Sequence, residues 1–438
     1  MPISSFFGLN TTLRGLIAHQ QALDVTAHNI GNASTEGYSR QQAQLSAATP
    51  LSLPGVTRNG GMAMIGAGVD VEQFVRVRDA FSDLQYRAQN QALGQHQTTA
   101  QMLGQAELSL SEPSDNGIGQ TLAKFWSAWD DLANHPESPA TRQALVNQAS
   151  LLTDRLQTLR GDLVQVRTEA GTQYGLLTGP TGDISSLASE IASLNNSIRS
   201  AKMQGGEPND LYDRRDVALD KLSALAQVST TDLGDGVIRV NFGDAAAPLV
   251  DGTTVTWPQT LTSPGGKLGA LLKIADTTAA GTVTGYINAL DTVARQLVNQ
   301  VNAIHGAPPF FSGASAANIA VNVTATTVRA APAGAAAGAN TIALAVSALR
   351  GGAADDGYAN LVARIGGDVR AASQQQKSAE ALVGAADDKR QSTSGVSMDE
   401  EMTNMVRFQR GYQASARAMS TIDEMLDTLI NRAGRVGL

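Results

Sequence analysis

Four aspartates are spaced so that their carboxylates could act together in one site. Intervals of three and four residues would place them along one face of a single helix. A calcium site would also need backbone carbonyl ligands and a tight turn. Because two arginines lie among the aspartates, ion pairs within the helix or between domains explain the row more simply. The row consists of Asp210, Asp213, Asp216 and Asp220, with Arg214 and Arg215 between them.

No other group of residues has the spacing of a catalytic or cofactor site. The five histidines are scattered, and none lies in a His-Glu-x-x-His metal motif. The segment Gly66-Ala67-Gly68 lacks the third glycine and the preceding strand of a dinucleotide-binding loop. The absence of cysteine excludes disulfides, thiolate catalysis and cysteine-bound metals. We therefore expect no enzymatic activity, no cofactor and no metal.

Composition also limits the partners of the chain. Its 438 residues carry a formal net charge of -8, which argues against a general nucleic-acid binder with a basic surface. The first residues lack the basic and apolar regions of a Sec signal, and no apolar run is long enough for membrane insertion. The sequence alone therefore indicates a cytoplasmic protein, or one exported by a route that needs no cleaved signal.

Long helices are expected at both ends of the chain, and each carries apolar residues in alternating steps of three and four. This heptad spacing is typical of helices that pack lengthwise on a partner. Polar residues interrupt the stripes at Gln20, Gln409 and Asp423. The residues predicted to mediate the packing are Phe6, Leu9, Leu13, Leu16, Leu23 and Ile30 in the first helix, and Met398, Met402, Met405, Tyr412, Met419, Leu426 and Ile430 in the last.

Two explanations of these stripes are open. The helices could complete an internal core, or they could join subunits in an assembly. The polar interruptions favour an assembly because a dry private core would disfavour them, and methionine suits surfaces that serve several partners. An exposed first stripe would cost roughly 1.5–3 kcal/mol for each leucine. That cost is consistent with ends that stay unfolded in the free subunit and become ordered on assembly.

Between the ends, helical periodicity gives way to strands in the middle of the chain. Residues 39–70, rich in Gly, Pro, Ser and Thr, are predicted to form an extended loop with short strands. Asp235-Gly236 is a hairpin signal, and residues 227–275 are predicted to be a β-rich insert. The first helix is expected to run from Ser4 or Ser5 to about Gly31, and the last helix is expected to begin at a capping box at Ser397. Other helices are expected over residues 79–110, in several segments up to residue 225, over 283–305 and over 358–391.

The order of helices, strands and helices predicts nested, discontinuous domains in a mainly α fold with a β-rich insert. The terminal helices would pair as a coiled coil in an inner domain, followed by a long-helix bundle and an outer β domain. The inner domain is expected to consist of residues 1–65 and 395–438, the bundle of residues 66–226 and 283–394, and the insert of residues 227–282. Residues 306–356 are expected to be irregular or β and could belong to the outer part.

Several segments resemble one family of structural proteins. HNIGNASTEGY, residues 28–38, resembles a motif shared by flagellar rod, hook and hook-associated proteins, with His28 and Gly31 in place of the usual Asn and Ala. The segments 112–118, 209–216 and 394–409 are similar to the hook-associated proteins of type 1, which form the hook–filament junction. The matching motif positions are Asn29, Asn32, Gly37, Tyr38, Arg40, Glu112, Pro113, Ser114, Asp115, Asp213, Arg215, Asp216, Phe408 and Gln409.

The resemblance implies a structural subunit outside the cell, in a ring at the junction between flagellar hook and filament. Its implied partners are the hook protein, the next hook-associated protein at the filament base and other copies of itself. It also implies export in an unfolded state through the flagellar type III apparatus without a Sec signal. A cytoplasmic export chaperone would bind the last helix, where Met402, Met405, Tyr412, Met419 and Leu426 are the candidate contacts.

Two rival functions remain open at the level of sequence. Rod and hook subunits share the motifs at both ends, so the chain could be one of them, although the two internal segments favour a junction protein. A secreted enzyme such as a muramidase could also carry flagellar-type ends. That alternative would need an acid pair in a cleft, and residues 227–356 contain few carboxylates.

Overall fold

A computed structural model describes residues 6–53, 63–115, 117–428 and 430. The predicted helix starts at Ser4 and Ser5 lie outside these described residues. In its described residues, the N-terminal region contains one long helix and four strands. These elements are α1 (Phe7–Gly31), β1 (Gln41–Ala47), β2 (Leu51–Leu53), β3 (Ala63–Ile65) and β4 (Val69–Arg76), with β1 paired antiparallel to β4 and β2 to β3.

Ten further helices and six further strands make up the rest of the described chain. The helices are α2 (Ala80–Leu110), α3 (Ile118–Asn134), α4 (Pro139–Thr178), α5 (Asp183–Met203), α6 (Asn209–Leu225), α7 (Gly266–Ala275), α8 (Thr282–His305), α9 (Thr341–Ser347), α10 (Ala353–Ser394) and α11 (Met398–Asp427). The strands are β5 (Val228–Gly234), β6 (Val237–Phe242), β7 (Val250–Asp251), β8 (Thr254–Val255), β9 (Phe311–Ser312) and β10 (Ala320–Val321). The prediction of a mostly helical chain with some sheet is therefore confirmed.

Local sequence explains where the main helices begin. The side chain of Asp79 accepts hydrogen bonds from the backbone N–H groups of Phe81 and Ser82, which caps α2. Ser138 caps α4, which has a proline in its first turn. The predicted cap of the last helix is present, because the Ser397 side chain accepts from the N–H of Glu400.

The larger of the two hydrophobic cores lies in the helical body. That core collects residues from α2, α3, α4, α8, α9 and α10, and residues 310–330 pack against it. Its centre is an aromatic cluster in which Trp129 and Phe310 have ring centroids 5.1 Å apart, and Phe125 and Trp126 are 4.9 Å apart. Rings placed at such distances contribute more than their buried area alone. Neither terminal helix contributes a described residue to this core.

A second core joins α5 and α6 to the sheet of β5, β6, β7 and β8. Asp235 and Gly236 both have positive φ, as a tight hairpin turn requires, and they connect β5 to β6 as the sequence predicts. The segment predicted as a β-rich insert also contains a helix, α7, whose Leu271 and Ile274 enter the larger core. Helix α7 was not predicted, because its ten residues lie between turn signals and strands and were included in the β-rich insert.

Candidate assembly site

The two terminal helices lie side by side and run in opposite directions. A Cβ added to Gly8 would lie 3.3 Å from Ile422, and one added to Gly15 would lie 3.2 Å from the Ser415 hydroxyl. Near the middle of the pair, the ring of His19 packs against α11. Glycine at these positions lets the two backbones approach closely, so shape as well as apolar area holds the pair together.

On α11 one row of buried and half-buried residues follows alternating steps of four and three, and Asn404, Gly411 and Ala416 beside it are half-buried as well. Met405, Tyr412, Met419 and Leu426, all predicted packing residues, are half-buried on this face. Between them the buried or half-buried seam positions are Glu401, Phe408, Ser415 and Ile422, whereas Met402, Gln409 and Asp423 of the sequence stripe are exposed.

This one-residue difference explains the polar interruptions of the last stripe. Gln409 and Asp423 are exposed beside the seam, whereas the neighbouring Phe408 and Ile422 lie on it. Met402 is 59% exposed, and Met398 and Ile430 are exposed as well. Glu401 and Ser415 are thus polar positions of the seam toward α1, whereas Gln409 and Asp423 lie outside it.

On α1 the fully buried line consists of small residues rather than of the predicted leucines. Gly15, Ala18, Ala22, Thr26 and Asn29 are buried. The predicted residues Leu9, Leu16, Leu23 and Ile30 are half-buried, while Phe6 and Leu13 are exposed. The helix pair thus leaves apolar surface uncovered, and the exposed large apolar residues of the two helices are Phe6, Leu13, Ile17, Met398, Met402, Val406, Met425 and Ile430.

Asn29 of the shared motif connects the end of α1 to Tyr38, to the start of β1 and to α11. Its Oδ1 accepts from the N–H of Gln41 at 2.9 Å and from the Tyr38 hydroxyl at 2.8 Å. Its Nδ2 donates to the carbonyl of Gln41 at 2.8 Å and to Glu401 at 3.0 Å. Asn32, at the end of α1, donates to the carbonyl of His28 at 3.0 Å. The asparagines therefore fix how the chain leaves α1 and enters β1.

Two further motif residues join this turn to other elements. Gly37 has a φ of +74°, and a Cβ there would overlap the Val217 side chain of α6. Arg40 donates from Nε to Glu401 at 2.7 Å and from Nη1 to Glu400 at 2.8 Å. Its backbone N–H donates to the carbonyl of Ser394 at 2.8 Å. The motif is thus attached both to the helical body and to the start of α11.

The row of aspartates on α6 is the point where the N-terminal region meets the helical body. Asp213 accepts from the N–H and the hydroxyl of Ser39, at 3.0 and 2.7 Å, and from Arg76 at 2.8 Å. Asp216 accepts from Arg76 at 3.0 Å and from Arg87 of α2 at 3.1 Å. Each carboxylate is therefore held by elements distant in sequence.

Asp220 extends the row toward α10, because it pairs with Arg87 at 2.7 Å and with Arg390 at 2.5 Å. Burial would by itself raise the pKa of Asp216, but the charges of Arg78, Arg76 and Arg87 lower it below its usual value. Because each buried charge is paired several times, the cluster avoids the cost of an isolated buried ion. The row therefore serves to clamp β4, α2, α6 and α10 together.

The partners of this row differ from the two arginines that lie among the aspartates in sequence. Arg215 donates to the Asn195 side chain at 2.9 Å and to the carbonyl of Gly236 at 2.6 Å. Arg214 lies 3.7 Å from Glu190. The sequence left open whether the aspartates form ion pairs within their own helix or with other parts of the chain. In the structure they pair with arginines of other elements. The spacing of the row does not identify its partners Ser39, Arg76, Arg78, Arg87 and Arg390, although Arg76, Arg78 and Arg87 lie close to the start of α2.

The internal motif at Glu112 has a separate structural role. Its carboxylate accepts from the N–H of Gly119 at 2.9 Å and from the Tyr358 hydroxyl at 3.0 Å, so it connects the turn before α3 to α10. After the cis Glu112–Pro113 bond, the carbonyl of Ser114 accepts from the N–H of Gly117 at 3.0 Å. The carbonyl of Asp115 accepts from Lys124 at 3.3 Å.

The described residues form neither a metal site nor a membrane-spanning helix. No group of three or more His, Cys, Asp or Glu side chains is placed to hold a metal ion there. Within the same part of the chain, every helix is too short or too polar to cross a membrane. The arrangement instead offers a pair of terminal helices with uncovered apolar surface, fixed to a rigid body by charged and amide contacts.

Family models match three parts of the chain. The model described as flagellar hook-associated protein FlgK helical domain matches residues 103–264. The flagellar basal body rod FlgEFG protein C-terminal model matches residues 389–432, and the flagella basal body rod protein model matches residues 9–38. The terminal matches thus coincide with the paired helices and the internal match with the body.

Among individual proteins, flagellar hook-associated protein 1 of Bacillus subtilis is 28% identical over 98% of this chain and 99% of its own length. The protein of the same name from Salmonella typhimurium is 30% identical, and the match covers 56% of this chain and 43% of that one. A solved structure of the flagellar hook junction protein FlgK from Burkholderia pseudomallei aligns with a TM-score of 0.44 and 26% identity, over 51% of this chain and 43% of that one. The sequence matches confirm the predicted resemblance.

Proposed function

We infer that this chain, as a relative of flagellar hook-associated protein 1, is a structural component of the junction between the hook and the filament of the bacterial flagellum. The observation that carries this conclusion is the match over nearly the whole of the Bacillus subtilis protein. The match of residues 103–264 to the hook-associated helical domain supports it, because this region lies outside the segments that match rod proteins.

We propose that the paired terminal helices form an inner tube with the same helices of neighbouring subunits. The uncovered apolar residues of α1 and α11 support this, because burying them in an assembly is favourable at about 25 cal/mol per Å² of apolar surface. In this arrangement the coiled coil predicted from the sequence is completed between subunits. The neighbours are other copies in a ring, the hook protein on one side and the next hook-associated protein on the other.

The nested domain organisation is part of the same proposal. The inner unit is residues 1–65 with 395–438, the helical body is 66–226 with 283–394, and residues 227–282 form the outer insert. The separate core around the sheet of β5, β6, β7 and β8 supports an outer unit, which includes α5 and α6 in its packing. The body provides lateral contacts within the ring and the outer unit faces the surroundings.

We also propose that the chain reaches this place outside the cell through the flagellar export apparatus, with a cytoplasmic chaperone on α11 beforehand. Most residues of α11 are exposed or half-buried, which supports the proposal that this helix can exchange one partner for another. The proposed role is mechanical rather than enzymatic, in line with relatives that are named as flagellar hook-associated proteins.

Substitution of exposed apolar residues tests the assembly role without disturbing the fold of the subunit. Leu13→Asp and Met402→Asp introduce charge at side chains that are 42% and 59% exposed. In a strain lacking its own copy, each variant should be stable and exported but should leave hooks without filaments. Leu108→Asp, at an 80% exposed leucine of α2, is the matched control and should restore filaments. Normal filaments with both helix variants would contradict the proposal.

A second candidate function is a rod or hook subunit, since the matches at residues 9–38 and 389–432 are to rod-protein models. The two functions differ in where the protein is found. A hook or rod subunit would be distributed along the whole length of its structure, and a junction subunit would occupy a short band at the distal end of the hook. Immunogold labelling therefore separates them.

A further inference from the structure

Glu401, in the first turn of α11, is the anchor of that helix. It is the one residue that is fully buried among those described in α11, with 2% of its surface exposed. The other seam residues are half-buried and face a line of small residues on α1. A charged residue therefore occupies the best-shielded position on a helix that is otherwise loosely covered.

The partners of this carboxylate come from the N-terminal motif, more than 350 residues away in sequence. Arg40 donates to one oxygen at 2.7 Å, with a sequence separation of 361, and Asn29 donates to the other at 3.0 Å, with a separation of 372. The three residues are buried or nearly so, with Asn29 1% exposed. A buried carboxylate is stable only while such partners remain in place.

The orientation of Asn29 is fixed independently of Glu401. Its amide makes a two-way pair with the backbone of Gln41, accepting from the N–H and donating to the carbonyl. Rotating the amide would place donor against donor in that pair. Asn29 therefore presents an N–H, and never an oxygen, to residue 401, while Arg40 presents only donors. The pocket accepts a group with two acceptor oxygens and no donor.

We propose that Glu401, Arg40 and Asn29 form a latch by which the N-terminal motif holds α11 on α1, and that opening the latch frees α11 while the helical body stays folded. The body has its own large core, which α11 does not enter. The latch lies at the short link 395–397 between α10 and α11, so release there lets α11 move as a unit. A partner that takes the seam face of α11 must first open the latch.

The latch belongs to the free chain and does not depend on the proposed function. Its strongest test compares Glu401→Gln with Glu400→Gln, because Arg40 bonds both residues but Glu400 is 62% exposed. Glutamine at 401 has one acceptor oxygen and one donor group, so it must place a donor against Arg40 or Asn29. Glutamine at 400 loses only a surface ion pair, which contributes little.

The readout is the opening of α11 in the full-length protein. Arg407, Arg410 and Arg417 are exposed on this helix, and trypsin cleaves a helix only after local unfolding. Glu401→Gln should speed cleavage at these sites and amide hydrogen exchange in α11 by about tenfold or more, because a buried charged pair is broken. Glu400→Gln should stay within about twofold of the parent protein.

A second variant and a second measurement keep the test decisive. Arg40→Lys should give an intermediate rate, because a lysine ammonium cannot reproduce the guanidinium fork that reaches both glutamates. Exchange in α3 and α8, which belong to the body core, should be unchanged in every variant. Equal rates for Glu401→Gln and Glu400→Gln would overturn the proposal, as would a Glu401→Gln variant that loosens α3 and α8 together with α11.

Discussion

At the scale of single residues, polar side chains do more to position the parts of this molecule than to carry out chemistry. The aspartates of α6 have the spacing of a possible ligand row, and they lie on one helix as that spacing predicts. The identity of their partners was not predictable, because Arg76, Arg87 and Arg390 approach from other elements. Helical spacing describes one element, whereas ion pairs between elements depend on the packing of the whole chain.

Gly37 illustrates how one motif residue can be tested at this scale. Gly37→Ala should lower the free energy of unfolding by more than the roughly 1–2 kcal/mol of a left-handed backbone, because its Cβ also meets Val217. Gly205→Ala is the matched control, since Gly205 has a φ of +79° and nothing within 4 Å of its Cβ position. Chemical denaturation measures both, and equal losses would show that the contact with α6 is unimportant.

His305 gives the structure a dependence on pH. The pKa of this buried histidine is lowered, mainly because burial disfavours the charged ring. Its Nε2 accepts from the N–H of Arg329 at 3.0 Å, and its Nδ1 lies 2.8 Å from the carbonyl of Pro308, which suits the neutral ring with hydrogen on Nδ1. Protonation of Nε2 would place two donors against each other.

The sign of the effect follows from this lowered pKa. In the unfolded chain the histidine binds a proton near pH 6.5, whereas in the folded chain it binds one only at a lower pH. The contribution of His305 to the free energy of unfolding is therefore complete above about pH 6.5 and is lost as the pH falls toward the pKa of the folded state. Denaturation curves between pH 8 and pH 5 should show this loss in the parent protein. His305→Gln should show a shallower dependence, and an unchanged slope would contradict the assignment.

At the scale of elements, the sequence predicted the helices well and the packing register less well. Periodicity identified α1 and α11 as partners in packing because both stripes repeat every seven residues. It placed Met402, Gln409 and Asp423 on the α11 seam, one residue from Glu401, Phe408 and Ile422, since Met402 resembles a core residue more than Glu401 does. No composition rule would choose a glutamate for the buried position, because its stability depends on Arg40 and Asn29 from the opposite end of the chain.

The helix pair itself can be tested at Gly411. Gly411→Val would bring a Cβ within 2.7 Å of the His19 ring, so the helices must separate locally. Hydrogen exchange in α1 and α11 should increase while exchange in the body stays the same. Gly384→Val is the matched control on α10, where nothing lies within 4 Å of the Cβ position. Equal exchange in the two variants would contradict the close contact.

At the scale of the whole molecule, distant ends of the chain are brought together and fixed to a rigid body. That arrangement is expected for a subunit whose termini serve the assembly and whose middle faces outward, and the order of periodic segments suggested it. The packing of α7 against the body, and of α5 and α6 against the sheet, was not predictable, because short apolar segments fit either core. Domain limits therefore depend on tertiary contacts more than on local pattern.

The central claim is that the chain occupies the hook–filament junction, and location tests it most directly. A small epitope inserted in the exposed segment 333–338 can be labelled with immunogold in a strain that lacks its own copy. The predicted result is a single short band at the distal end of each hook, with filaments continuing beyond it. Label along the entire hook or rod, or no label on flagella that carry normal filaments, would contradict the account.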